Sequence, residues 1–424
     1  MSNSFILKGD ICFCLDKHAA ASFENHYIVC MDGLCRGIFP SIPSQYNHLP
    51  ITDCSGRLII PGLIDLHIHA PQYSFRGRGM DLELLDWLNE ITFPEESKYR
   101  NLYYAETAYR SFTDAMIKSA TTRACIFSTI HVPSTKLLMD MLEETGLIAY
   151  VGKVNMDRNS PAYLNEESAI VSAKATLEWL EHSISKYKNV KPIITPRFIP
   201  SCSDELMEWL GRMQKEFELP VQSHLSEAKG EIEWVLSLCP DCSFYGEAYD
   251  KYGLFGGHAK TIMAHCVHST NEEIQLMKKQ GVFVAHCPAS NTNLKSGLAP
   301  VRRYLDEGLH IGLGTDVAGG TSESIFSAMA DAIKVSKLRY MLLDSSLKPL
   351  TSDEVFYMAT KGGGEFFGRV GSFEEGYEFD ALVIDDRKLC SLNHLEPRER
   401  LERLMYLTND YTIEQKYVSG KRLF

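Results

Sequence analysis

The fold of this chain is decided by the stretch Leu58-Ile59-Ile60-Pro61-Gly62-Leu63-Ile64-Asp65-Leu66-His67-Ile68-His69. A nearly continuous apolar run is typical of a strand that is covered on both faces, and this one ends in two alternate histidines. Side chains two residues apart on a strand point to the same side, so His67 and His69 can reach one metal ion. Because such pairs also occur at ordinary exposed strand ends, the metal prediction depends on residues further along the chain.

From about residue 58, short apolar runs alternate with amphipathic stretches, which is the pattern of strands and helices in turn. Predicted strands lie at 122–130, 147–155, 191–198, 220–225, 261–266, 281–286 and 310–315. Predicted helices include 166–187, 203–217, 271–280 and 301–307. With the strand before His67, the pattern gives eight strand–helix units, the number that closes a (β/α)8 TIM barrel. The predicted fold class is therefore α/β.

The two ends of the chain differ from this central part. Residues 1–60 and 370–424 contain short strand-like pieces broken by Gly and Pro, at 25–31, 33–39, 380–385 and 413–423. Since chain termini often lie close together, we expect both ends to form one small β-sandwich domain. The barrel then occupies residues 61–369, and the sandwich is discontinuous in sequence.

A long insertion follows the first barrel strand, at residues 71–98. It carries Gly77, Gly79 and Trp87, and we expect a loop that covers the mouth of the barrel as a lid. Glu95 and Glu96 are expected on a solvated turn or on the lid itself.

Composition excludes several classes of protein. The net charge of −12 argues against a nucleic-acid-binding face, which needs clustered Lys and Arg. No apolar run approaches the length of a membrane span, and the first residues lack a signal-peptide pattern. The 12 cysteines are scattered, as in proteins of a reducing compartment, so a cytoplasmic location is expected.

Three further polar residues, His224, His265 and Asp316, end predicted barrel strands, where barrel enzymes place their active sites. Three neutral imidazoles and one carboxylate suit Zn²⁺ or Fe²⁺, with one position left open for water. Glu227 follows His224 by three residues, at the start of the next helix, so it can face the same cavity and move a proton. The pattern therefore predicts a metalloenzyme whose metal activates a bound water.

These residues carry a family resemblance. The chain is similar to the amidohydrolase superfamily in His67-x-His69, His224-x-x-Glu227, His265, His286-Cys287-Pro288-Ala289-Ser290-Asn291 and Asp316. Within it, the chain resembles the guanine deaminase family in His69-Ala70-Pro71-Gln72, Leu84-Leu85-Asp86-Trp87-Leu88, Thr92-Phe93-Pro94-Glu95, Gly152-Lys153-Val154-Asn155-Met156-Asp157 and Thr195-Pro196-Arg197-Phe198. The likeness runs through nearly the whole barrel and into residues 371–385.

The resemblance implies an active site of one metal and one purine, together with a homodimer. The implied metal ligands are His67, His69, His224 and Asp316. The implied substrate contacts are Gln72, Arg197, Phe198, His224 and Glu227, and the implied catalytic residues are Glu227, His265 and Asp316. The metal is expected to be zinc, with iron as the alternative. Arg197 is a permanent donor that suits a purine carbonyl, and the carboxamide of Gln72 both donates and accepts.

The expected reaction is hydrolysis of guanine to xanthine and ammonia. Water loses a proton to Asp316 or Glu227 and attacks C2, the carbon that bears the amino group. Glu227 protonates the adjacent ring nitrogen, and His265 holds the attacking oxygen by a hydrogen bond.

Other hypotheses remain open at this point. Lys153 on a barrel strand would, if carboxylated, bridge two metals as in hydantoinase-type cyclic-amide hydrolases. Another aminopurine, a pterin or a triazine is an alternative substrate, and a barrel without activity is a third class of answer. His268 is expected at a helix start rather than at the metal. His286 is expected either to line the pocket or to bond a neighbour.

Overall fold

A computed structural model describes residues 3–389, 391–407 and 412–424. The predicted terminal domain also includes residues 1–2, 390 and 408–411, which lie outside the described residues. None of the helices in the described part of the chain combines the length and the apolar character needed to cross a membrane.

The N-terminal part forms four long strands. They are β1 (Phe5–Asp16), β2 (Ala19–Met31), β3 (Leu34–Phe39) and β4 (Ile51–Pro61). β1 pairs antiparallel with β2 and parallel with β4, and β2 pairs antiparallel with β3. Only Gly62 separates β4 from the next strand, so the chain passes directly from this sheet into the barrel.

Ten strands follow, all paired in parallel. They are β5 (Leu63–His69), β6 (Thr121–Phe127), β7 (Ile148–Gly152), β8 (Val154–Asn155), β9 (Val190–Pro192), β10 (Thr195–Pro196), β11 (Val221–Leu225), β12 (Thr261–His265), β13 (Phe283–His286) and β14 (His310–Leu313). The third barrel strand is interrupted and divided into β7 and β8, and the fourth is divided into β9 and β10. The ten short strands therefore occupy eight positions of the barrel. An isolated bridge joins Ile194 to β11. The Asp316 amide donates to the carbonyl of His67 at 2.8 Å, so the last segment meets the first strand, consistent with a TIM barrel.

Helices lie between the strands, as the alternating pattern predicts. They are α1 (Leu84–Trp87), α2 (Phe93–Glu96), α3 (Leu102–Lys118), α4 (Val132–Thr145), α5 (Ala169–Ser183), α6 (Asp204–Phe217), α7 (Lys229–Leu238), α8 (Tyr245–Asp250), α9 (Asn271–Gln280), α10 (Pro288–Asn293), α11 (Val301–Glu307), α12 (Ile325–Leu342), α13 (Ser352–Tyr357) and α14 (Pro397–Leu407). β5 and β6 are buried along their whole lengths, because the barrel core covers one side and helices the other.

The C-terminal part returns to the first sheet through β15 (Ala381–Ile384), β16 (Ile413–Val418) and β17 (Lys421–Arg422). The strand order is β17-β16-β15-β4-β1-β2-β3. Strands from both termini therefore share one seven-stranded sheet among the described residues, and the predicted sandwich of two sheets is not confirmed. The reason is that β4 pairs with β1 on one side and with β15 on the other, which joins the two ends edge to edge.

The insertion after β5 was predicted to be a loop, and that prediction is wrong in detail. It folds into short helical turns: a 3₁₀ turn at Ala70–Phe75, α1, a π turn at Leu88–Thr92, α2, and a 3₁₀ turn at Ser97–Arg100. These turns satisfy backbone groups locally, which allows Leu84, Trp87 and Phe93 to be buried.

A buried ion pair connects the sheet to the barrel. Arg123 on β6 is 3% exposed and donates from Nε to Asp380 at 2.7 Å and from Nη2 to Glu378 at 2.7 Å. From the sheet, the ammonium of Lys416 reaches back to the carbonyls of Met116 and Ser119 at the end of α3, each at 2.9 Å. Charged groups thus hold the two units together at a buried boundary.

Replacing Arg123 by alanine is expected to lower the free energy of unfolding by about 3–5 kcal/mol, because the carboxylate of Asp380 stays buried without its cation. Denaturant unfolding measures this difference. The control is Arg57→Ala, which removes the more exposed pair with Glu414 and should cost about 0–1 kcal/mol. Equal losses in the two variants would contradict a structural role for the buried pair.

Candidate active site

A cavity opens at the carboxyl ends of the barrel strands, where barrel enzymes place their active sites. Eight of the residues predicted from sequence line it: His69, Gln72, Arg197, Phe198, His224, Glu227, His265 and Asp316. Five lining residues were not among the predicted site residues: Leu84, Trp87, Leu88, Glu231 and Leu294. His67 lies directly behind this surface, fully buried.

The donor atoms of the four predicted metal ligands converge. Nε2 of His69 lies 3.2 Å from Nε2 of His67 and 3.3 Å from Nε2 of His224. Oδ1 of Asp316 lies 3.1 Å from Nε2 of His67 and 3.4 Å from Nε2 of His69. Donors bound tetrahedrally to one zinc at ~2.0–2.1 Å are about 3.3–3.4 Å apart, so this set fits a single ion.

The imidazoles of His69 and His224 are in the state that a metal requires. Nδ1 of His224 donates to the Arg197 carbonyl at 2.6 Å, which leaves the lone pair of Nε2 directed at the cluster. Burial is the largest cause that lowers the pKa of His69 and of His224 well below the usual value, so both rings are neutral. Nδ1 of His67 and Nδ1 of His69 have no hydrogen-bond partner among the described residues.

Two other groups of three residues could also hold a metal, since within each group the potential ligand atoms lie within 4.8 Å of one another. The first joins His67 and His224 to His265, and the second joins His67 and Asp316 to Cys287. Burial raises the pKa of Cys287 well above its usual value, so this residue stays a thiol rather than a thiolate ligand. The 3.1–3.4 Å contacts favour His69 over either alternative as the fourth ligand.

Asp65 holds the first and last strands of the barrel in register at this cluster. Its Oδ1 accepts the amides of His67 and Thr315, each at 3.1 Å, and its Oδ2 accepts the Thr315 hydroxyl at 2.6 Å. Full burial raises the pKa of Asp65 to about 7, against the lowering effect of these donors. Sequence reasoning missed this residue, although a carboxylate inside an apolar strand two residues before His67 was the available signal.

His265 and Glu227 stand beside the cluster. Nε2 of His265 lies 3.4 Å from Oε2 of Glu227 and 3.7 Å from Oδ2 of Asp316, while its Nδ1 lies 2.8 Å from Oδ1 of Asn291. His265 and Asp316 have positive φ angles of 74° and 49°. Backbone in this region is costly for residues other than glycine and is concentrated at functional sites. The turn after each strand thereby directs the side chain into the cavity.

Glu227 is buried and held from two sides. Its Oε1 accepts the hydroxyl of Ser296 at 3.2 Å, and its backbone amide donates to Oε2 of Glu231 at 3.0 Å. Burial, and then the charge of Asp316, raises the pKa of Glu227 well above its usual value. Glu231 also accepts the Tyr245 hydroxyl at 2.9 Å, and burial raises its own pKa to about 7. A carboxyl that keeps its proton at neutral pH can serve as an acid.

The opposite wall contains Arg197 and Gln72, joined by Glu96. Nη1 of Arg197 donates to Oε2 of Glu96 at 2.6 Å, and Nη2 donates to Oε1 at 3.1 Å. Gln72 donates to the same Oε1 at 2.8 Å. Of the two positions predicted for Glu96, the solvated turn is wrong, since Glu96 is 2% exposed and lies within the insertion; its neighbour Glu95 pairs with Arg78 and Lys98.

Apolar side chains complete the cavity. Leu84, Trp87 and Leu88 come from the insertion, so it does cover the barrel mouth as expected. Phe198 lines the wall beside Arg197, and its ring lies edge-on to Trp234 with centroids 6.1 Å apart. The cavity therefore presents flat apolar surface between two polar ends.

The remaining candidates lie outside the cavity. The Lys153 ammonium is fully buried and bonds Glu166, and His268 bonds the Ser296 carbonyl at 2.7 Å, as expected of a residue that is not a ligand. His286 shows neither predicted role: it does not line the cavity, and its ring nitrogens have no partner among the described residues. Burial lowers the pKa of His286 to about 3, which keeps it neutral within the barrel core.

Comparison with known proteins agrees with this geometry. Residues 58–423 match the model of the amidohydrolase family. Guanine deaminase from Mus musculus is 42% identical over 87% of this chain and 83% of its own, and that from Dictyostelium discoideum is 39% identical over 88% and 84%.

A solved structure gives the same result. The crystal structure of guanine deaminase from C. acetobutylicum with bound guanine in the active site is 48% identical. It superposes with a TM-score of 0.96, covering 99% of this chain and 100% of the other. With the matched residues and the site described above, this chain belongs to the amidohydrolase family and, within it, to the guanine deaminases.

Proposed function

We propose that this protein is a hydrolase that converts guanine and water to xanthine and ammonia in purine metabolism. The observation that carries the proposal is one cavity in which a convergent ligand cluster and Glu227 face a wall that holds Arg197 and Gln72. The relative with guanine bound in its active site shares 48% of its residues with this chain.

His67, His69, His224 and Asp316 would hold one divalent cation, zinc in the first place and Fe²⁺ as the alternative. The supporting observations are the 3.1–3.4 Å spacing of their donor atoms and the neutral imidazoles of His69 and His224. A cation bound at such a site lowers the pKa of a coordinated water to about 7.

In this reaction, Glu227 transfers protons and His265 positions the attacking oxygen. Glu227 protonates the ring nitrogen next to C2 as water attacks that carbon, which prevents negative charge from accumulating on the ring. Asp316, or Glu227 once it has given its own proton to the ring, accepts the proton that the water gives up. This proton then passes to the amino group on C2, which leaves as ammonia when the C2–N bond breaks. His265 lies within 3.4–3.7 Å of both carboxylates, so its Nε2 can hold the attacking oxygen in place.

Arg197, Gln72 and Phe198 orient the purine. The guanidinium of Arg197 donates to a carbonyl oxygen, and Gln72 offers one end of its amide to the ring edge. Phe198 packs on the flat ring with the apolar residues of the insertion. Binding at this wall points C2 toward the cluster of ligands.

The geometry of Lys153 weakens the two-metal alternative. Its ammonium is fully buried and forms an ion pair with Glu166, away from the cavity. A carboxylated lysine would have to leave that pair to bridge two ions beside His67. Metal analysis separates the hypotheses, since one ion per chain supports deamination and two support a cyclic-amide hydrolase.

The direct test is ultraviolet spectroscopy of metal-analysed protein with guanine, coupled to measurement of ammonia. Conversion to xanthine that chelation abolishes and zinc restores would establish substrate, reaction and metal together. Parallel assays with adenine, an aminopterin and an aminotriazine test the other heterocycles. Failure on guanine with turnover of one of these would replace the proposed substrate.

We also propose a cytoplasmic homodimer. The 11 cysteines among the described residues are all free thiols, as suits a reducing compartment. Apolar side chains are exposed at the end of α12, where Met341 is 65% and Leu342 is 72% accessible, and such patches are typical of subunit contacts. Light scattering with size-exclusion chromatography measures the assembly, and a monomer at micromolar concentration would contradict it.

A further inference from the structure

Glu96 is a buried carboxylate whose two oxygens are both used by substrate-binding residues. Oε1 accepts from Gln72 and from Nη2 of Arg197, and Oε2 accepts from Nη1 of Arg197. Gln72 lies 24 positions and Arg197 101 positions from Glu96 in sequence, and one carboxylate fixes their mutual geometry. A bidentate pair of this type sets orientation as well as energy.

The insertion supplies this carboxylate as part of a larger support. Phe93, on the same short helix α2, places its ring 5.1 Å from the guanidinium carbon of Arg197. From the barrel side, Oε1 of Gln72 accepts the Ala318 amide at 3.0 Å, two residues after Asp316. The Gln72 amide is therefore bound at both ends, which sets its orientation relative to the metal ligands.

The ion pair between Glu96 and Arg197 also balances charge. A buried guanidinium without a counter-ion attracts anions strongly, because low-dielectric surroundings strengthen electrostatic interaction. With Glu96 beside it, Arg197 presents N–H donors whose positive charge is already offset. Such a subsite suits a neutral carbonyl oxygen better than an anionic one.

We infer that Glu96 is a positioning and specificity-determining residue, which orients Arg197 and Gln72 and makes the site prefer a neutral purine over an anionic one. The inference rests on the proposed function. Xanthine, the product, ionises more readily than guanine. The charge of Glu96 therefore assists release of the product as well as selection of the substrate.

The test is Glu96→Gln, which keeps the shape of the side chain and removes its charge. We expect KM for guanine to rise about 10²-fold, since small misplacement of binding groups has effects of this size. The ratio of the xanthine inhibition constant to KM should fall about tenfold or more, most clearly at alkaline pH where xanthine is anionic. A role in packing alone would move both constants together and leave the ratio unchanged.

The matched control is Glu95→Gln. Glu95 is adjacent on α2, but its carboxylate pairs with Arg78 and Lys98 at the outer surface. This variant should keep the KM and the inhibition ratio of the unmodified protein. Equal constants in the two variants would overturn the inference.

A second experiment tests the inference even when the Glu96→Gln protein folds poorly. The double variant Glu96→Gln/Arg197→Gln leaves no uncompensated charge and is compared with Arg197→Gln alone. If Glu96 acts through Arg197, its replacement should change KM less than about threefold in this background, a non-additive result. If replacement of Glu96 raised KM by the same factor in both backgrounds, the inference would be contradicted.

Should the unmodified protein fail to deaminate guanine, the proposed function fails, while equilibrium binding still tests the charge argument. Purified Glu96→Gln should then bind xanthine more tightly, relative to guanine, than the unmodified protein does. An unchanged preference would overturn the inference independently.

Discussion

Replacing Glu227 by glutamine is expected to reduce kcat for guanine by about 10²–10⁴-fold while the protein keeps its metal. The carboxyl is buried, accepts a hydrogen bond from Ser296 at 3.2 Å and lies 3.4 Å from Nε2 of His265. Its raised pKa keeps a proton available, and glutamine fills the same space without being able to give that proton to the ring. KM should change much less, because Arg197 and Gln72 are untouched.

Steady-state kinetics and metal analysis on the same preparation measure this result. Glu233→Gln is the matched control, since Glu233 lies on α7, the helix that follows Glu227, and is exposed to solvent. It should retain full kcat. If Glu227→Gln kept most of its turnover with metal bound, the assigned proton transfer would be wrong.

Removal of the metal, or of His67, is expected to reduce deamination to background. Nε2 of His67 lies 3.1 Å from Oδ1 of Asp316 and 3.2 Å from Nε2 of His69, so His67→Ala removes one corner of the cluster. Without a full ligand set the ion dissociates, and no activated water remains. Metal content per chain and guanine turnover should fall together.

Chelation of the unmodified protein should have the same effect on activity, and added zinc should reverse it. His310→Ala serves as the control, because His310 pairs with Glu365 at the exposed start of β14. It should hold one ion per chain and stay active. An active His67→Ala protein that binds a full equivalent of metal would rule out the proposed ligand set.

Much of the fold could be predicted because its signals are local. The predicted helices 271–280 and 301–307 coincide with α9 and α11, which are followed by Gly281 and Gly308 in left-handed conformation. Thr270 caps the first of them by accepting the Glu273 amide at 3.2 Å. The barrel strands were found to within a few residues, since apolar runs mark them directly.

Features that depend on distant contacts could not be predicted. Glu96 follows a proline in a polar stretch, which favours a surface turn, and its burial depends on Arg197, 101 residues away. The same is true of Glu231, whose acceptor role needs Tyr245 and the turn after β11. The single terminal sheet likewise depends on which edge of β4 meets β15. Sequence periodicity identifies a strand but does not identify its neighbours.

The contact of Asp65 with Thr315 spans 250 residues, from the first barrel strand to the segment that carries Asp316. His67 and His69 therefore lie beside Asp316 only where the first barrel strand and the segment after β14 are brought together. A nascent or truncated chain that stops before this segment carries the three histidines of the proposed ligand set without Asp316. With the proposed ligand set, the metal content of a preparation should report the fraction of molecules in which the first barrel strand and this segment have met, and bound metal should oppose their separation.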